Sequence, residues 1–74
     1  MMSYEIFGGP WCVQCKILVA RLKAAGKGHV YEYRDVQYPH NEDALKSRGV
    51  HSLPACFING QEVSPKEFYE AVTK

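Results

Sequence analysis

No stretch of this 74-residue chain is apolar for long enough to cross a bilayer, and Met1-Met2-Ser3-Tyr4-Glu5 lacks the basic start and apolar segment that export requires. The chain is therefore expected in the cytoplasm. An excess of either charge is also missing. Nine Lys and Arg against eight Asp and Glu leave a formal net charge of +1, which argues against nucleic acid or anionic lipid as a partner. Internal repeats and low-complexity segments are absent, and the length leaves no room for a second domain, so residues 1–74 read as one small unit, expected to act as a monomer. At 46% hydrophobic and 23% charged residues, the composition is that of a globular protein and not a disordered one. Cysteine is scarce too, with only three in the chain, yet two of them stand three positions apart.

That pair lies in Trp11-Cys12-Val13-Gln14-Cys15-Lys16. On a helix, positions i and i+3 share a side, with β-carbons roughly 5–6 Å apart, so a small adjustment brings the two sulfurs to bonding distance. Unpaired N–H groups and the dipole at a helix start favour negative charge, so Cys12, placed there, should lose its proton more easily than the free value of about 8.5. Cys15, one turn further in, suits a resolving thiol. Lys16 adds a positive charge nearby, although a lysine here is as readily a solvated surface residue. In the cytoplasm a disulfide is rarely structural, and Cys-x-x-Cys beside a βαβ-like pattern points to redox chemistry.

Tyr4-Glu5-Ile6-Phe7 reads as a strand that Gly8-Gly9-Pro10 ends. From Val13 to Ala25, helical spacing gives one stripe of Val13, Ile17, Ala20 and Ala24 and a second of Leu18, Leu22 and Ala25; Arg21 falls between them. Gly26 and Gly28 stop this helix. His29 to Val36 reads as a second strand, and Gln37-Tyr38-Pro39-His40 as a loop. The next helix is expected to take Asn41 as its N-cap, Glu42 and Asp43 in its first turn, Lys46 and Arg48 in its last, and Gly49 as its stop. Ala55-Cys56-Phe57-Ile58 reads as a buried strand. Asn59-Gly60 signals a hairpin to Gln61-Glu62-Val63, and Ser64-Pro65-Lys66-Glu67 opens a last helix running through Ala71 or Val72. The order β-α-β-α-β-β-α predicts a parallel first pair of strands and a four-stranded mixed sheet with three helices.

Three segments together resemble the glutaredoxin family, and the likeness covers nearly the whole chain. They are Cys12-Val13-Gln14-Cys15 after the first strand, Val50-His51-Ser52-Leu53-Pro54 in place of the family's Val-x-Thr-Val-Pro, and Phe57-Ile58-Asn59-Gly60 in place of Phe-Ile-x-Gly. The resemblance implies a thioredoxin fold, and a cis Leu53-Pro54 bond facing the Cys12 sulfur with backbone groups free to pair with a substrate chain. Cys-Val-Gln-Cys is the form found in small redoxins that feed electrons to ribonucleotide reductase and are recharged by thioredoxin reductase. Short versions such as those of phages are a further point of likeness. Gly9 stands where the family often has lysine, Val63-Ser64-Pro65-Lys66 where it often has Gly-Gly-x-Asp, and the late Trp-Ser-Gly-Phe-Arg-Pro-like segment of the redoxin branch has no match in Asn59-Gly60-Gln61-Glu62-Val63. The electron source is thus open between glutathione and thioredoxin reductase.

The expected chemistry is thiol-disulfide exchange with a protein disulfide, no bound cofactor, and Cys12 and Cys15 as the catalytic pair. Trp11, Val13, Gln14, Leu53 and Pro54 are candidates for the substrate-docking surface. Lys16 and Ser64 are candidates for a glutathione groove, Ser64 through the free N–H groups of the last helix, although a capping serine explains it equally well. Tyr38 and His40 belong to a loop the family places near that groove, and solvated loop residues are the simpler reading. The rival chemistry is metal binding: Cys12, Cys15, Cys56 and one of His29, His40 or His51 for zinc, or an iron-sulfur cluster shared between two chains. Against zinc, Cys56 fits a buried strand position, where a free cysteine behaves as a small hydrophobe.

Overall fold

The computed structural model describes residues 2–74. Its elements are β1 (Tyr4–Gly8), α1 (Val13–Ala24), β2 (Glu32–Asp35), α2 (Pro39–Ser47), β3 (Ala55–Ile58), β4 (Gln61–Val63) and α3 (Pro65–Thr73). The sheet runs β2-β1-β3-β4, with β1 parallel to β2 and antiparallel to β3, and β3 antiparallel to β4. This is the expected thioredoxin fold.

Alternation along the central strands divides the core into two layers. Ile6 and Cys56 point to the side of α1 and α3, where they meet Leu18, Leu22, Phe68 and Val72. Phe7, Ala55 and Phe57 point to the other side, against Val36, Leu45 and Val50. Turn chemistry closes the hairpin as expected: Asn59 and Gly60 hold φ of 52° and 81°, the positive pair that a two-residue turn between twisted strands requires. The start of α3 also follows its local signal. Ser64 Oγ accepts from the Glu67 N–H, and a Glu67 carboxylate oxygen accepts from the Ser64 N–H.

Four expectations need correction. Of the two α1 stripes, Leu18 and Leu22 are buried, but Val13 is 65% and Ile17 46% exposed, because only the side turned to the sheet and α3 is covered. Arg21 lays its guanidinium 4.4 Å from the Tyr69 ring centroid, which explains a cation between apolar stripes. β2 is shorter than read: Lys27 N–H bonds back to the Leu22 carbonyl and Val30 N–H to Lys27, so the chain turns until Tyr31. Helix α2 starts at Pro39 with Tyr38 as its cap residue, while Asn41 is buried and donates Nδ2–H to the Asp35 carbonyl at 2.9 Å. Proline preset for the first helical position thus begins the helix before Asn41.

The fourth correction concerns Arg48, which serves the sheet and not its own helix end. Glu5 is 8% exposed on the α2 side, and its carboxylate takes Arg48 Nη1 at 3.1 Å and Arg34 Nε at 2.9 Å. The Arg48 guanidinium also lies 4.6 Å from the Phe57 centroid, so the ion pair covers sheet surface that a nine-residue α2 leaves open. The Arg48 hydrogen bond, assisted by Arg34 and opposed by burial, holds the Glu5 carboxyl below its ordinary value. A carboxyl whose pKa is lower in the folded state stabilises above its unfolded value and loses that contribution as pH falls through the folded one. Glu5→Gln should therefore cost about 1–3 kcal/mol at neutral pH. In urea titrations the gap to the parent should close as pH falls below about 4; a gap that stays constant with pH would rule out the charge as its cause.

Candidate active site

β1 carries the chain to the site and stops where side chains would obstruct it. Gly8 and Gly9 are both buried. A β-carbon at Gly8 would stand 2.9 Å from Cys15 Sγ and 2.5 Å from the Tyr33 hydroxyl; at Gly9 it would stand 2.8 Å from the Trp11 ring. Pro10 and Trp11 then turn the chain, with Cys12 N–H donating to the Gly9 carbonyl at 3.1 Å. Cys12, with φ −93° and ψ 104°, is the N-cap of α1, and its sulfur accepts the Cys15 backbone N–H at 3.2 Å. A residue type rarely used as a cap thus takes the place of a serine or aspartate oxygen.

Cys12 and Cys15 are joined as a disulfide, their α-carbons 5.3 Å apart. The two sulfurs are not equivalent. Cys15 is wholly buried against β1, whereas Cys12 is partly open to solvent at the helix start. A disulfide partner arriving from solution can reach Cys12 and cannot reach Cys15.

Four of the other candidate residues, Trp11, Leu53, Gln14 and Lys16, are divided among three separate grooves. Trp11, 62% exposed, and Leu53 share a shallow groove of about 200 Å³ with Val36, Val50, His51 and the α2 residues Glu42 and Lys46. The Leu53–Pro54 peptide is cis, as the resemblance implied, and both residues are half-buried. Gln14 belongs instead to the groove between α1 and α3, about 330 Å³, with Arg21, Lys66 and Tyr69. Ser64 has its hydroxyl committed to the α3 cap. Lys16 lines a third space, of about 550 Å³, backed by Cys15. Val13 is exposed beside Cys12. Lys16 and Ser64 therefore do not share a groove among those that line the site.

Cys56 is 1% exposed in β3, and burial, with the Glu62 charge second, pushes its thiol up to about 12. It stays protonated, and among the described residues no three His, Cys, Asp or Glu side chains are grouped to hold a metal ion. His29, His40 and His51 are exposed, and Tyr38 stacks on His40 with ring centroids 6.1 Å apart. Tyr33 and Gly8 are the site residues that sequence reasoning missed. Their signals were modest: a glycine pair with two residues between it and Cys12, and tyrosines two positions apart at 31 and 33.

The sequence model of the glutaredoxin family matches residues 4–63, which span every element from β1 through β4. No curated protein matches the chain.

Proposed function

The chain belongs to the glutaredoxin family, and from that premise we propose that it reduces protein disulfides through the Cys12–Cys15 pair. The observation that carries this reading is the asymmetry of the pair, one sulfur accessible on a helix cap and the other sealed behind it. In the reduced protein the Cys12 thiolate attacks one sulfur of a substrate disulfide and expels the other as a thiolate, leaving a mixed disulfide. Cys15 then attacks Cys12, releases the reduced substrate and restores the disulfide. An external two-electron donor regenerates the dithiol. The Cys15 N–H aimed at Cys12 Sγ, with the free N–H groups of the first turn, favours negative charge on the attacking sulfur.

Trp11, Leu53 and Pro54, with Val13 and Gln14 beside the nucleophile, form the docking surface in this proposal. Ribonucleotide reductase is the substrate to which Cys-Val-Gln-Cys points, and the cytoplasm is where such a couple works. The donor is glutathione or thioredoxin reductase. Two features favour the reductase: the indole of Trp11 packs over Gly9, where the family often has lysine, and the Ser64 hydroxyl serves the α3 cap.

The deciding experiment follows NADPH consumption in two systems, one with thioredoxin reductase and one with glutathione and glutathione reductase, each with a protein disulfide as acceptor. Turnover is expected with thioredoxin reductase. Turnover only with glutathione would reassign the donor, and turnover with neither would defeat the proposed reaction.

A further inference from the structure

Closing the disulfide requires Cys15 as a thiolate, yet its side chain is fully buried. Burial alone keeps a thiol protonated, as Cys56 shows on the next strand. Cys15 differs in its surroundings. Its sulfur and the Tyr33 hydroxyl press on the same point of β1 at Gly8, and both residues line the 550 Å³ space between α1 and β2, which is open to solvent. No hydrogen bond joins the two in the disulfide form, whose neutral sulfur is a weak acceptor. Burial, then the charge of Asp35 and the neighbouring Tyr31, pushes the Tyr33 phenol up from its ordinary value, so at neutral pH it is a donor.

We infer that Tyr33 is a positioning residue for the second half of the reaction: its hydroxyl donates to the Cys15 sulfur as that sulfur becomes a thiolate. The inference rests on Cys15 being the resolving thiol. In the step itself the Cys15 S–H proton passes to water, and the electron pair left on sulfur forms the bond to Cys12. The bond between Cys12 and the substrate breaks, and the substrate sulfur leaves as a thiolate. The other ionisable groups that bear on this corner are Lys16 and Lys23 from α1, Tyr31 and Asp35 from the β2 side, and Cys12. Tyr33→Phe leaves every one of those in place and removes only the hydroxyl.

The test mixes reduced protein rapidly with an aromatic disulfide whose leaving thiolate is coloured, at a series of pH values. The first release reports attack by Cys12 and the second reports closure by Cys15. Tyr33→Phe should leave the first release unchanged, slow the second about tenfold at neutral pH, and move its pH midpoint up by about one unit, the worth of one hydrogen bond to an anion. Lys23→Met should leave that midpoint in place. A second release in Tyr33→Phe with parental rate and pH profile overturns the inference, as does a Lys23→Met shift equal to that of Tyr33→Phe. Absence of any second release in the parent protein would instead remove Cys15 from the reaction and defeat the reading beneath it.

Discussion

Cys12→Ser should fold as the parent does and be inert. Serine is among the best N-cap residues, and its oxygen can accept the Cys15 N–H that Cys12 Sγ accepts at 3.2 Å, so the start of α1 loses nothing it depends on. The chemistry does not survive, because a hydroxyl at neutral pH has no appreciable anionic fraction and cannot open a disulfide. Turnover should fall below about one thousandth of the parent rate with any disulfide acceptor. Cys15→Ser isolates the other half. Cys12 can still attack, so a mixed disulfide should accumulate and be visible by mass spectrometry, while net reduction of a protein disulfide stops. Near-parental turnover in Cys12→Ser, or capture of substrate by Cys15 in its place, would contradict the division of labour that burial assigns to the two sulfurs.

The parts of this site that were legible in advance are those whose cause is local. The Cys-x-x-Cys spacing, the Asn59-Gly60 turn and the Ser64-Pro65-Lys66-Glu67 box each act within a few residues, and each took the expected form. Where the partner is distant in sequence, the outcome was hidden. Asn41 looks like a cap until the Asp35 carbonyl takes its amide. Arg48 looks like a cation for its own helix end until folding brings Glu5, 43 residues earlier in the chain, beside it. Helical periodicity likewise marks two apolar stripes on α1 without saying that just one will be covered, and Val13 and Ile17 are left for solvent or for a partner. Tyr33, Gly8 and Cys15 come from three elements, and only the parallel pairing of β1 with β2 puts them at one point.

Phe68→Ala should remove about half of the stability of the fold and loosen the seat of the active site at the opposite end of α1. The ring is fully buried and meets Tyr4 and Tyr31 edge-on, with centroids 5.8 and 6.4 Å away. It packs in one cluster with Leu18 and Leu22, the residues that seat α1 on the sheet and so hold Cys15 against Gly8. Truncating a buried phenylalanine costs about 3–5 kcal/mol, through lost transfer energy and the cavity left behind. A domain of this size has a total of about 4–11 kcal/mol to lose. The variant should therefore show a urea midpoint reduced by about half, and any activity that remains should track the folded fraction. Ile17→Ala, on the same helix but 46% exposed, should shift the midpoint by less than about 0.5 kcal/mol equivalent. If the two variants proved equally stable, α1 would not be held through the Phe68 cluster, and the burial of Cys15 would need another cause.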